Sequence, residues 1–232
     1  MRPMDDIRTV LITGGAGGLG AATVAAFLSG GWRVVAPVRP GSAGRLPAGA
    51  IAAEGDLNEV TDVTAAARLA AAEPGAPLRA VVNLTGGFAS AGLVADTPVD
   101  DFEAMLTTNL RPTYLMTAAT LPHLVAAGGG SIVCVSSRAA VAPFPGAAGY
   151  ITAKAAVLAF AGAVAVEYRR QHVRCNTVLP SVIDTAANRA AMPDADPSRW
   201  VRPEEIAEVI LFLASDASAP TSGAQIPVYG QA

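Results

Sequence analysis

Lysine is almost missing from this chain of 232 residues: of its 16 basic residues 15 are arginine, and Lys154 alone is lysine. A sequence that elsewhere takes arginine keeps an amine at one place, which marks that place for a task a guanidinium performs poorly. Charge of either sign is scarce as well. Charged residues make up 15% and hydrophobic residues 52%, against about 25% charged in an average soluble protein. That is enough charge for one surface around one large core, which favours a single domain and excludes disorder. The net charge is −3 with a pI near 5.4 and no basic block. Nucleic acid and anionic membranes are therefore not the expected partners.

Cysteine is equally sparse. Cys134 and Cys175 are far apart in sequence and lie in apolar runs, so neither a metal knuckle nor a redox pair is expected, only buried reduced thiols. Long hydrophobic runs are missing despite a mean hydropathy of +0.41. The longest, residues 155–166, is closed by Lys154 and Glu167 and falls short of the ~20 residues a membrane span needs. Met1-Arg2-Pro3-Met4-Asp5-Asp6 places acids where a signal peptide would be apolar. A soluble, cytoplasmic protein is the expectation.

Short β-branched runs alternate with Ala-rich helical stretches. Strands are predicted at 9–12, 33–36, 50–52, 80–83, 131–135, 173–178 and 225–228, and helices near 19–28, 58–73, 99–126, 147–171 and 203–214. Most of the strand runs are continuously apolar, as in strands covered on both faces. The alternation predicts an α/β fold, a single-domain Rossmann-like doubly wound parallel sheet of about seven strands with helices on both faces. Pro122 should kink its helix or leave a carbonyl unpaired. Residues 180–202 carry three prolines and no clear strand, which suits a mobile loop over a site.

The first strand runs directly into Thr13-Gly14-Gly15-Ala16-Gly17-Gly18-Leu19-Gly20 and then a helix. Glycines there let the backbone approach a diphosphate, whose charge meets N–H groups and the positive helix end. After the second strand an NAD-type site wants an acid for the ribose hydroxyls, but the residues are Pro37-Val38-Arg39-Pro40. The Arg39 guanidinium suits a 2′-phosphate, so NADP(H) is the preferred cofactor, with NAD(H) as the alternative. An ordinary surface arginine is the competing reading. Gly55-Asp56-Leu57 offers a carboxylate near the adenine amine or, equally, a helix cap.

A second constellation is Ser136-Ser137 followed by Tyr150-Ile151-Thr152-Ala153-Lys154. Tyr150 and Lys154 are four apart and share a helix face. An ammonium beside a phenol should draw the phenol pKa down from about 10, readying it for proton transfer near neutral pH.

With these motifs the sequence resembles the short-chain dehydrogenase/reductase family over nearly its whole length. The resemblance rests on Thr13-Gly14…Gly18-Leu19-Gly20, Asp56-Leu57, Asn83…Gly86, Asn109, Ser137, Tyr150…Lys154 and Pro180…Thr185. It implies a seven-stranded Rossmann sheet, an NAD(P) cofactor and hydride transfer to or from a small-molecule carbonyl or alcohol. It further implies Tyr150 as general acid, Lys154 as its pKa modifier and ribose ligand, and Ser137 as holder of the carbonyl oxygen, with Ser136 as the neighbouring alternative. Asn109 would hold a water joining Lys154 to solvent. Ile183 would offer its backbone to the carboxamide, and Thr185 its hydroxyl to the nicotinamide or phosphates. A homo-oligomer, by family a tetramer, is implied with helices 99–126 and 147–171 at the interface.

Two departures stand out. Asn83-Leu84-Thr85-Gly86 replaces the family's Asn-Asn-Ala-Gly, keeping the end residues and, by expectation, the turn. Pro180-Ser181 replaces Pro-Gly, putting a Cβ near the nicotinamide. Asn83-Leu84-Thr85-Gly86-Gly87-Phe88, Gly149 to Lys154 and Asn188 to Asp196 are also similar to stretches of quinonoid dihydropteridine reductases, from which Ser137 and Arg39 depart. Reduction of a quinonoid pterin is thus the alternative enzyme reading, and a nucleotide-binding regulatory protein without turnover the alternative class. Phe88, Phe144, Met192 and Trp200 are candidates for an apolar pocket or for loop anchors. Arg138 is a candidate for a substrate anion or a solvated cation.

Overall fold

The computed structural model describes residues 7–231. The stretch Met1 to Asp6, weighed above against a signal peptide, lies outside the described residues. Seven strands, β1 (Thr9–Thr13), β2 (Arg33–Val38), β3 (Ile51–Glu54), β4 (Leu78–Asn83), β5 (Gly130–Val135), β6 (Val173–Pro180) and β7 (Gln225–Val228), form one sheet in the order β3-β2-β1-β4-β5-β6-β7. All six pairings are parallel. The central runs Val10-Leu11-Ile12 and Val81-Val82 are wholly buried, because helices cover both faces and leave no wet side to alternate with. The edges behave differently. β3 is short with Ile51 partly exposed, and β7 carries Pro227, a residue without a ladder donor that an edge tolerates.

The helices are α1 (Gly18–Ser29), α2 (Val60–Ala71), α3 (Val99–Asn109), α4 (Arg111–Ala126), α5 (Ala148–Glu167), α6 (Ala186–Ala191) and α7 (Pro203–Ala214). One face of the sheet packs Val24 and Phe27 of α1 with Ile206 and Ile210 of α7. The other packs Val63 of α2, Met116 and Leu124 of α4, and Val157 and Ala161 of α5. By length and composition α5 is apolar enough to cross a membrane, but Val157, Ala161, Val164 and Ala165 spend that apolarity on the core.

The single helix expected over 99–126 is two. Pro112 has no N–H to offer the Thr108 carbonyl, so the ladder breaks at Leu110 between α3 and α4. Pro122, expected to disturb the chain, lies inside α4, which continues to Ala126. The helix expected to reach 171 ends at Glu167 and passes through one 3-10 turn, Arg169–Gln171, to His172 at φ +58°. The stretch read as strandless over 180–202 starts inside β6, contains α6, and is tied across its ends by a parallel bridge between Ile183 and Val201. Cys134 and Cys175, remote in sequence, lie on the neighbouring strands β5 and β6 in one core cluster. Both are free and buried, with their thiols close enough to influence each other's titration. Parallel pairing creates that proximity, which spacing does not reveal.

The chain builds outward from β1 to β3, then returns to start β4 on the other side of β1. At such a reversal, loops leaving the carboxyl ends of adjacent strands part and open a crevice.

Candidate functional site

That crevice is a cleft of about 500 Å³ between the carboxyl ends of β1 and β4. On one side the glycine turn delivers α1 with its N-terminus toward the cleft, without a side-chain cap and without an acid in its first turn. Its first N–H groups are thus available to an anion. Gly20 is required by packing: a Cβ there would lie 2.0 Å from the Gly14 carbonyl oxygen. Gly14 itself sits at φ +70°, where side chains are strained. A Cβ on Gly18 would lie 2.7 Å from Thr185 Cγ2, so the turn and the segment after β6 meet closely.

Thr13 joins the two central strands. Its Oγ1 accepts from Leu84 N at 3.1 Å and Thr85 N at 3.2 Å, which fixes the Asn83-Leu84-Thr85-Gly86 turn despite its unusual middle. Asn83 points elsewhere. Its Nδ2 donates to Thr117 Oγ1 at 3.0 Å and approaches Cys134 Sγ at 3.7 Å. Asn83 thus anchors β4 to α4, and its Oδ1 is buried without a partner among the described residues.

Gly14, Gly17, Gly18, Leu19, Gly20, Arg39, Asp56, Leu57, Gly86, Ile183 and Thr185 do line it. Asp56 Oδ1 accepts from Asn58 N at 2.9 Å, closing a turn ahead of α2, whose N-cap position is taken by Glu59 and not by Asp56. Thr185 Oγ1 caps α6 by accepting from Asn188 N. Ile183 O accepts from Asn188 Nδ2 at 2.8 Å and from Thr185 N at 2.9 Å. Sequence reasoning missed Ser42 and Arg45, which the 3-10 turn Ala43–Arg45 brings beside Arg39. A second arginine six residues after Arg39 in a Gly/Pro-rich turn was the available signal. It also missed Asn58 and Thr85, whose Oδ1 and Oγ1 are buried without a partner and line the same cleft. Buried polar atoms are rarely left unpaired, so together with the uncapped helix end they fit a polar, anionic nucleotide.

Beyond the cleft's Gly86 lies a cluster from β5, α3 and α5. A Cβ on Gly86 would meet Asn109 Oδ1 at 2.6 Å and Lys154 Nζ at 2.9 Å, so only glycine lets the cleft floor rest on these groups. Asn109, at the α3 terminus, accepts from Gly87 N and donates to Gly87 O and Met105 O. Lys154 is 6% exposed and donates to the Val135 carbonyl at 3.2 Å. Burial lowers its pKa to about 8, partly offset by Cys134 nearby.

Ser136 and Ser137 separate cleanly. Ser136 is buried and donates to the Lys154 carbonyl at 2.7 Å, clamping β5 to α5. Ser137 accepts from Ala139 N at 3.1 Å and faces the Tyr150 phenol closely enough to influence its titration. Tyr150 departs from expectation in its titration: burial raises its pKa, and the Ser137 hydroxyl offsets this in part. Lys154 does not supply the lowering foreseen from the four-residue spacing, since its Nζ stays 5.9 Å from the Tyr150 ring centroid and turns to a carbonyl.

Phe88 meets Tyr150 edge-on at 5.1 Å and Phe144 at 6.3 Å between ring centroids. Both phenylalanines are substantially exposed, forming an open apolar wall beside the phenol. Arg138 is not free: its guanidinium lies 5.2 Å over the Tyr229 ring. Ser181 keeps a negative φ and donates to the Tyr229 carbonyl at 2.7 Å. The Cβ expected to reshape the pocket floor instead carries a hydroxyl that ties down the C-terminal segment.

The sequence profile of the family described as short chain dehydrogenase matches residues 8–196. A 2-(R)-hydroxypropyl-CoM dehydrogenase of Xanthobacter autotrophicus is 31% identical, over 96% of this chain and 97% of its own. A D-threitol dehydrogenase of Mycolicibacterium smegmatis is also 31% identical, over 97% and 92%. Among solved structures, a short-chain type dehydrogenase/reductase from Mycobacterium ulcerans superposes with a TM-score of 0.90 at 27% identity, covering 97% of this chain and 89% of that one.

Proposed function

Since the chain belongs to the short-chain dehydrogenase/reductase family and is an NAD(P)-dependent oxidoreductase of alcohols and carbonyls, we propose that Tyr150, Ser137 and Lys154 carry the chemistry, with Asn109 as their support. The observation that carries this reading is the approach of the Ser137 hydroxyl to the Tyr150 phenol, the one from the turn after β5 and the other from α5, beside an apolar wall. Bound nicotinamide supplies the hydride in reduction and accepts it in oxidation. Tyr150 Oη gives its proton to the substrate oxygen as the carbonyl carbon is reduced. A phenol whose pKa is raised stays protonated through neutral pH, which suits the reductive direction. Ser137 has an acceptor position satisfied by Ala139 N, so its O–H is free to turn to the substrate oxygen. Lys154 keeps a buried cation near the Tyr150 ring below pH 8, and Asn109 holds the 86–87 turn.

For the cofactor, the turn from Gly14 through Gly17, Gly18, Leu19 and Gly20 would hold the diphosphate, Asp56 and Leu57 the adenine, and Ile183 and Thr185 the nicotinamide end. Arg39 and Arg45 favour NADP(H) over NAD(H): two guanidiniums line the ribose end and neither carries an ion pair among the described residues. The exposed Tyr114 of α4 packs edge-on against Phe160 of α5, and Val166 adds apolar surface, which supports a homotetramer joined through these helices. A cytoplasmic setting accords with two free buried thiols.

The test is NADPH consumption with ketones, quinones and quinonoid pterins, run for the unmodified protein and Tyr150→Phe. Ketone reduction is expected, with kcat down 10²- to 10⁴-fold in the variant and cofactor affinity unchanged. Turnover of pterin alone, or retention of more than about a tenth of kcat, overturns the assignment.

A further inference from the structure

At the opposite end of the sheet, where β4, β5 and β6 begin, lies a second concave site of about 520 Å³. Four arginines line it: Arg8, Arg79, Arg169 and Arg174, with Asp216 as the one carboxylate among the described lining residues. Part of this charge has a structural purpose. Helices that run back along a parallel sheet bring their C-termini to this end, each equivalent to about half a negative charge. Arg79 Nη1 donates to the Ala127 carbonyl at 2.6 Å, just past α4. Arg174 donates to the Leu213 and Ser215 carbonyls at the end of α7 and to Thr221 O and Ser218 Oγ. Arg8 pairs with Asp216 at 2.8 Å.

These contacts do not balance the site. Four guanidiniums face one carboxylate and two helix ends, which leaves about two positive charges in a chain whose net charge is −3. The guanidinium of Arg169 is exposed and makes no hydrogen bond or ion pair among the described residues, and Arg8 and Arg79 keep further N–H groups beyond those used. Concave walls of Ala214, Ala219 and Pro220 exclude water from one side and concentrate the field. We propose that this basic pocket binds a small oxyanion carrying two or more negative charges, a phosphate or a polycarboxylate, between Arg8, Arg79 and Arg169. Guanidinium forks match the paired oxygens of either group. Its position at the far end of the strands separates it from the nucleotide cleft.

The test uses the full chain with saturating NADP⁺, so that the glycine turn is occupied. Thermal midpoints are measured against inorganic phosphate, citrate and sodium chloride at matched ionic strength. A saturable rise with phosphate or citrate, and none with chloride, is expected. Phosphate acting alone assigns a phosphate ligand, and citrate alone a polycarboxylate. Arg169→Ala and Arg8→Gln, both changes at sites that leave the helix ends capped, should each weaken the apparent affinity about tenfold. A response no larger than that to chloride, or the same saturation curve in both variants, overturns the proposal.

Discussion

Replacing Lys154 by methionine should make the protein more stable while removing its activity. The ammonium is almost fully buried, and its pKa of about 8 stands below the roughly 10.4 of an exposed lysine. A difference of that size means that holding the charged form in the folded state costs about 3 kcal/mol at pH 7. Methionine is unbranched and flexible enough to follow the same channel. It forfeits the 3.2 Å bond to the Val135 carbonyl, worth about 1 kcal/mol. The net expectation is a gain of about 2 kcal/mol, or about 4–8 °C in Tm for a chain of this length. The pH dependence is diagnostic. Below pH 8 lysine is protonated in both states and the full penalty stands. Between about 8 and 10.4 the unfolded chain binds one proton more than the folded one, so wild-type stability rises by about 1.4 kcal/mol per pH unit relative to the variant. The stabilising effect of Lys154→Met therefore shrinks and vanishes, or reverses slightly, near pH 10. Urea unfolding of both proteins from pH 7 to 10 reads the difference, in which contributions of groups that do not face Lys154 largely cancel. A variant less stable at pH 7, or a gap that does not narrow above pH 8, refutes the reasoning.

Arg39→Asp should reverse cofactor choice, because it replaces a charge-assisted donor by a carboxylate that repels a 2′-phosphate and accepts from a ribose hydroxyl. A wild-type preference of about ten- to thirtyfold for NADPH, corresponding to about 1–2 kcal/mol, is expected in kcat/KM. Preference for NADH in the unmodified protein, or an unchanged ratio in the variant, removes Arg39 from the site. Light scattering at micromolar concentration should give a homotetramer, and Tyr114→Glu, which places a charge on the exposed α4–α5 aromatic pair, should lower the assembly state. A monomer in the unmodified protein contradicts the interface.

Local patterns in the sequence are enough for much of this protein. Continuous apolar runs alternating with helical stretches determine a parallel sheet covered on both faces, since a half-wet strand would alternate. Glycines placed between a strand and a helix determine a tight turn with free N–H groups, and Gly20 is held to glycine by an approach of 2.0 Å between its missing Cβ and Gly14 O. The pairing of Tyr150 with Lys154, and the single lysine itself, stand out without any coordinates. What pattern does not contain is long-range approach and burial. The spacing to Tyr150 already favours Ser137 over Ser136, but only the folded chain shows what Ser136 does instead, bonding the Lys154 carbonyl while Ser137 faces the phenol, because that depends on which way each side chain faces between β5 and α5. Only it turns Asn83 into an anchor, brings Arg45 beside Arg39, sets Cys134 against Cys175, and gathers four arginines where the strands begin. The titration of the site belongs to the same class. Spacing puts an ammonium near a phenol, but desolvation in the packed interior lowers the lysine and raises the tyrosine, and desolvation is a property of everything packed around a group rather than of its neighbours in sequence.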